Sequence, residues 1–369
     1  MLRYREIKLA LMELIDGMQN GERLPSRTKL SKQLDSSRAT IDKAVRELEN
    51  EGILESRFGS GTYVARKLEG VASNQENWCL IVPSFTEDLY IKLAGAVKQA
   101  AGKRNANVIL SAFEYNVEQQ TECIKRLIMA SVDGFIIVPA LTNSMEENIS
   151  VYRELRRSKV PFVFCNRDVE GVYAPIVKSN DFYGGYIAAL HLIDCGYRNI
   201  AYFARHRYRT SIERCQGYVS ALQHKGIPLE RKRILMANDD DRLDSERTLG
   251  ELLDSNVPVD AVCCFNDLDA IEALQVIKSR GLRVSDDIGV IGYDYLDCCA
   301  KQTPPLSSVS IKIEEIGFMA AHVLGKQIDG HTPEGFAYYL VEPEVVAKES
   351  CLGKYTKRKG ETAHDEEQP

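Results

Sequence analysis

Residues 259–294 read VDAVCCFNDLDAIEALQVIKSRGLRVSDDIGVIGYD. Two short apolar runs, DAVCCF (260–265) and IGVIGY (288–293), flank a helical stretch from Asp267 to Arg280. Each run is bounded by turn residues, as expected of a strand buried on both faces. Strand, helix, strand in this order builds a parallel sheet. The residues that follow the runs are polar: Asn266 and Asp267 after the first, Asp294 after the second.

The same alternation extends outward. Further strands are expected at 78–83 (WCLIVP), 107–112 (NVILSA), 134–139 (GFIIVP), 161–165 (PFVFC) and 200–204 (IAYFA). Helices are expected from Asp88 to Lys103 and from Tyr183 to Cys195. About 275 residues is long for one doubly wound sheet, so two lobes are expected. This strand–helix body spans 78–353. A polar linker, 66–77 (RKLEGVASNQEN), precedes it, and a charged tail, 354–369, should be disordered.

The whole chain has 369 residues, 44% hydrophobic and 27% charged, enough for a large core. Its net charge is −6, which at first argues against nucleic acid. The charge is uneven, however: residues 1–67 carry 13 basic and 10 acidic side chains, a net of +3. The remainder carries 34 and 43, a net of −9. A mildly basic front on an acidic body suggests two jobs. The sequence lacks a secretory leader and any apolar run of roughly 18–20 residues, which implies a cytoplasmic chain without a membrane partner. The ten cysteines lack metal-ligand spacing and read as reduced, buried hydrophobes. No nucleophile elbow, phosphate loop or metal cluster is present, so the chain reads as a non-enzyme with no cofactor and no metal site.

Open parallel sheets bind ligands beyond the carboxyl ends of their strands. The candidate small-molecule contacts there are Ser84, Phe85, Tyr90, Ala140, Arg167, Asn266 and Asp294. Hydrogen-bonding groups beside an aromatic ring suit a polyhydroxylated ligand such as a sugar. Singly, each has a plainer reading: Asp267 could cap its helix, and Asp294 could close a turn. His206 reads as a surface or packing residue. The basic run Arg205–Arg209 reads as a solvated loop, with selection of an acidic ligand as the alternative.

Residues 1–65 form a helix-rich front. A first helix is expected from Tyr4 to Met18 and a second from Thr28 to Leu34. Ser37 is the N-cap candidate of a third, Arg38 to Asn50, which ends near Gly52. ILESRF and GTYVA then form a hairpin around Gly59 and Gly61. Three helices and a hairpin make an α+β winged helix-turn-helix, whose third helix enters the major groove N-terminus first. The candidate DNA contacts are Arg27, Thr28, Ser37, Arg38, Thr40, Lys43 and, at the wing, Gly59.

The front resembles the GntR family of transcription factors. The family's signals are all present: Leu24-Pro25-Ser26, Ser37-Arg38-Ala39-Thr40, Ala44 to Leu48, Glu51-Gly52, and Gly59-Ser60-Gly61-Thr62-Tyr63-Val64. Two positions depart from it: Thr28 and Asp42 stand where arginine is frequent. The resemblance leaves Asp42 to accept from a cytosine amine, since phosphate would repel it.

The body resembles the effector domains of LacI-family regulators, over VDGFIIVP (132–139), GGYIAALHLIDCGYRNIAYF (184–203), RCQGYVSAL (214–222) and the segment quoted at the outset. That resemblance implies two doubly wound parallel-sheet lobes of the periplasmic binding protein type I kind. It would place 78–178 and roughly 308–330 in one lobe, and 181–304 with the terminal strand in the other. It also implies that Arg214 binds the effector, with Asn266 and Asp294. Asn180-Asp181 departs from the family's usual Asp-Asn. Such a head on such a body resembles AraR-type arabinose repressors. The implied function is a homodimeric repressor that binds operator DNA and is released by a monosaccharide, an arabinose-like pentose first. The alternative is the same architecture sensing a nucleobase or other metabolite, or acting as an activator.

Overall fold

A computed structural model describes residues 7–353, apart from 9, 13, 16, 20, 51, 58–59, 66–74, 131, 141–144, 170, 239–241 and 332–336. The wing tip at Gly59, most of the linker and the tail thus lie outside the described residues. The chain divides into two compact units, Met1–Glu76 and Asn77–Pro369.

In the first unit, helical residues between 7 and 15 are followed by helices Arg27–Gln33 and Arg38–Asn50. Leu11, Ile15, Leu30, Ile41, Val45 and Leu48 form their shared core. Ser26 caps the second helix at Lys29 N–H, and Ser37 accepts from Thr40 N–H at 3.2 Å, satisfying donors the helix cannot pair internally. Strands Leu54–Arg57 and Gly61–Val64 pair antiparallel, Leu54 opposite Val64. Residues 21–24 add a third line to this hairpin: Gly21 N–H donates to Val64 O, and Leu24 N–H to Thr62 O, both at 2.8 Å.

The second unit holds two six-stranded sheets. The first runs 338–341, 176–179, 162–165, 134–137, 77–82, 107–112, all parallel. The second runs 344–346, 307–310, 289–294, 261–264, 200–204, 234–236, with only 344–346 antiparallel. Strand Asn77–Val82 is apolar on both faces. Trp78, Leu80 and Val82 enter one cluster, Cys79 and Ile81 another. This double burial is why a continuous apolar run, rather than an alternating one, marks each strand.

The chain crosses between lobes three times, after Ser179, Ser310 and Val341. The crossings lie side by side. Asn180 N–H donates to Val341 O at 3.1 Å, and Lys312 pairs with Glu344 at 3.1 Å. Two expected boundaries shift. Strand Ser307–Ser310 belongs to the second lobe, in register with Ile291–Asp294, and only the following helix, Ile313–Ile328, packs on the first lobe. The terminal strand is split: Tyr338–Val341 extends the first sheet and Glu344–Val346 the second.

Helices Asp181–Asp194 and Arg209–His224 cross in close contact at two glycines. A Cβ on Gly185 would sit 2.0 Å from Arg214 O, and one on Gly217 2.0 Å from Phe182 O. This approach holds Arg214 against the start of the neighbouring helix.

Candidate functional site

On the head, Ser37, Arg38, Thr40 and Lys43 gather at the first turns of helix Arg38–Asn50. Ser37, Arg38 and Lys43 are exposed and Thr40 is half-buried. The Arg38 side chain is 73% exposed, 3.9 Å from Asp42. Thr28 is exposed on the preceding helix. Arg27 differs from expectation. Its Nε lies 3.0 Å from Asp42 Oδ1 and its Nη2 3.1 Å from Thr62 Oγ1, so it ties two helices to the wing hairpin. Asp42 is correspondingly held by Arg27 and flanked by Arg38, which explains how an acid is tolerated there.

In the body, a cleft of about 300 Å³ opens between the lobes. The first lobe contributes Glu87, Leu89, Tyr90, Tyr115, Asn166 and Arg167. The second contributes His206, Tyr208, Thr210, Arg214, Phe265, Asn266, Leu268, Asp294 and Leu296. Five candidates therefore meet: Tyr90, Arg167, Arg214, Asn266 and Asp294. Three do not line it. The Ser84 hydroxyl is buried and bonded to Thr86 and Glu114. Phe85 packs against the core. Ala140 is buried with its N–H donating to Gln120 Oε1 at 2.6 Å.

Arg214 is the centre of the site. Its Nε donates to Asp181 Oδ1 at 2.9 Å and its Nη1 to Phe265 O at 2.7 Å. Its Nη2 lies 3.6 Å from Asp294 Oδ1, and its guanidinium stacks 3.5 Å from the Tyr293 ring centroid. Burial opposes its charge, but Asp181, Tyr293 and Asp294 more than offset this and raise its pKa. Behind it, Lys178 lies 3.2 Å from Asp181 Oδ2.

Asp294 sits at φ 98°, a left-handed conformation rare outside glycine. Burial raises its carboxyl to about 7, opposed by Arg214. Asn266 Oδ1 caps helix Asp267–Ser279 by accepting from Asp269 N–H at 2.8 Å, so the capping role falls on Asn266. Asp267 is instead buried between strands, accepting from Ser308 Oγ at 2.6 Å and Leu296 N–H at 2.7 Å. From the first lobe, Arg167 Nη2 donates to the Tyr90 hydroxyl. Its Nη1 is buried without a hydrogen-bond partner among the described residues. A buried donor of this kind calls for an acceptor that the cleft's occupant would supply.

The segment 205–209 is a solvated loop only in part: Arg207 and Arg209 are exposed, and the others are not. Arg205 is buried and bonded to Glu272, and Arg209 pairs with Asp168 and Glu213 at 2.8 and 3.0 Å. His206 and Tyr208 stack with centroids 5.2 Å apart and face the cleft. They follow the carboxyl end of strand Ile200–Ala204, so the strand-end rule applies to them as well.

Residues 3–64 match the model of bacterial regulatory proteins of the gntR family. Residues 189–351 match the periplasmic binding protein-like domain. The chain is a regulator with a gntR-family head and a periplasmic-binding-protein-like body. An arabinose metabolism transcriptional repressor of Geobacillus stearothermophilus is 25% identical over 94% of this chain and 97% of its own length. The regulator CelR in complex with cellobiose superposes with a TM-score of 0.65 at 24% identity, over 89% of this chain and all of its own. A LacI-family regulator of Enterococcus faecium with bound ribose gives 0.62 at 24%, over 75% and 99%. These structures share the fold of this regulator's body. No helix among the described residues is long and apolar enough to cross a membrane.

Proposed function

We propose that this regulator is a transcriptional repressor whose head reads operator DNA and whose cleft binds a sugar, an arabinose-like pentose first, that releases it. The observation that carries the reading is the convergence of Arg167, Arg214, Asn266 and Asp294 with the rings of Tyr90, Tyr208 and Phe265 around one small cleft. Planar polar groups pair with neighbouring hydroxyls, and rings cover the apolar face of a sugar. A cleft near 300 Å³ is at the small end of ligand sites and suits a single ring. The arabinose-repressor relative spans head and body alike, which supports the pentose.

Both lobes supply contacts, so the effector favours the arrangement in which they approach. To release DNA it must bind the DNA-incompetent state more tightly. A hundredfold preference corresponds to about 2.7 kcal/mol. Operator contacts come from Ser37, Arg38, Thr40 and Lys43, with Thr28 beside them.

The regulator acts as a homodimer on a palindromic site. Strand Asn107–Ala112 supports this, because it is an open sheet edge with Ile109 and Leu110 exposed, and such edges are normally covered.

A thermal-shift screen with pentoses, hexoses and purines, followed by gel shifts on DNA upstream of its own operon, tests the reading. A pentose that raises the melting temperature and releases the DNA supports it. A shift by purines alone, or no DNA binding with or without ligands, would overturn it.

A further inference from the structure

Away from the cleft, a histidine bridges two cysteines at the end of the second lobe. His191 lies in the last turn of helix Asp181–Asp194, and Cys195 follows as its C-cap. Cys351 closes the short turn Glu349–Cys351 near the end of the described chain. His191 Nε2 is 3.2 Å from Cys351 Sγ and 3.7 Å from Cys195 Sγ. Both thiols thus lie against the same imidazole nitrogen, one on each side of the bridge. Ser307 Oγ lies 3.0 Å from Cys351 Sγ, holding it in place. The cluster is one layer below the surface: both sulfurs are buried, but His191, Leu352 and Gly353 are half-buried and Asp194 is exposed.

We propose that Cys195, His191 and Cys351 form an oxidation site at which a hydroperoxide converts the thiol pair to a disulfide. His191 takes the proton of the Cys195 thiol, and the resulting thiolate attacks the distal oxygen of the hydroperoxide. The O–O bond breaks, the alkoxide takes the proton held by His191, and the Cys195 sulfur becomes a sulfenic acid. Cys351 then gives its proton to His191, and its thiolate attacks the Cys195 sulfur. The S–S bond forms, and hydroxide leaves with that proton as water. In sum, two thiols and one hydroperoxide give one disulfide, one alcohol and one water.

The surroundings separate Cys195 from the other cysteines, its partner Cys351 included, whose thiol they push up. Hydrogen bonds from Cys351 and His191 hold the Cys195 thiol below its ordinary range, against burial and the Asp194 charge. Burial instead pushes Cys215 up to about 11 and Cys263 up to about 12. Only a thiol with appreciable thiolate reacts readily. The disulfide would join the last turn of the lobe to the helix that begins at Asp181, the partner of Arg214.

The reduced, full-length regulator is treated with hydrogen peroxide, alkylated, and mapped by peptide mass under non-reducing conditions. The expected product links the Cys195 and Cys351 peptides with loss of two hydrogens, reverses with dithiothreitol, and leaves the other eight cysteines alkylated. In Cys351→Ser, Cys195 should accumulate as a dimedone adduct. His191→Gln should slow linkage about tenfold or more at an unchanged melting temperature. Alkylation of both cysteines after peroxide treatment would overturn the proposal. So would a Cys351→Ser protein that melts as the wild type does yet gives no adduct at Cys195.

Discussion

Lys178 Nζ lies 2.7 Å from Glu213 Oε2, so a buried lysine of the first-lobe sheet is bonded to a helix of the second lobe. It continues a chain of alternating charge. From Asp294 the chain passes through Arg214, Asp181, Lys178, Glu213 and Arg209 to Asp168, with steps of 3.6, 2.9, 3.2, 2.7, 3.0 and 2.8 Å. The chain begins in the cleft and ends in the opposite lobe. Lys178→Met strands Asp181 and part of Glu213, and a broken buried pair costs about 3–5 kcal/mol. Denaturant unfolding of the variant should show that loss. Its effector affinity should fall as well, because Asp181 then leaves Arg214 less firmly placed. A wild-type midpoint would contradict the chain's structural role.

The head separates two arginines by environment. Arg38→Ala should lower operator affinity roughly ten- to a hundredfold at fixed salt without changing the melting temperature. Arg27→Ala should lower the head's stability, because it removes the tie between Asp42 and Thr62. Fluorescence anisotropy with a labelled operator, beside calorimetry, distinguishes the two outcomes.

Gly185 admits no side chain. Gly185→Ala places a methyl 2.0 Å from Arg214 O, and overpacking of this kind costs about 1–3 kcal/mol or more. The helix carrying Arg214 must back away, so effector affinity should drop together with stability. Isothermal titration and urea unfolding measure the two effects. A variant that binds effector normally would break the link between that crossing and the site.

The raised Asp294 carboxyl carries a sign. Its value in the folded chain, about 7, exceeds the unfolded value of 3.8, with burial the leading cause. The stability it contributes is fully present below the unfolded value and lost as pH rises to about 7. The melting temperature of the wild type minus that of Asp294→Asn should therefore be largest near pH 4 and shrink until about pH 7. A difference independent of pH would show that the carboxyl titrates normally.

Strands with clean apolar runs were legible because both their faces are buried. Ile176–Ser179 was not, since Lys178 interrupts it, and only the distant carboxylates of Asp181 and Glu213 make that charge tolerable. Ser307–Ser310 carries no apolar run to mark it, and its strand is made tolerable by hydroxyls that donate to Lys348 O and Asp267. In the cleft, the strand-end rule located Arg167, Asn266 and Asp294, and resemblance located Arg214. The same rule misplaced Ser84 and Ala140, whose polar groups are satisfied locally by Glu114 and Gln120. Arg27 has the chemistry of a phosphate contact, and only the fold brings Asp42 to it.

The three adjoining passages of chain between the lobes act mechanically as a flat leaf spring. A single strap would allow swivelling as well as bending. Three abreast, pinned by Asn180 to Val341 and by Lys312 to Glu344, bend readily about one axis and resist torsion. The jaws therefore open and shut along a fixed arc, and a ligand gripping both sides selects a position on that arc rather than a new orientation of one jaw against the other. The same layout means that no single proteolytic cut at the hinge frees a lobe, because two straps always remain.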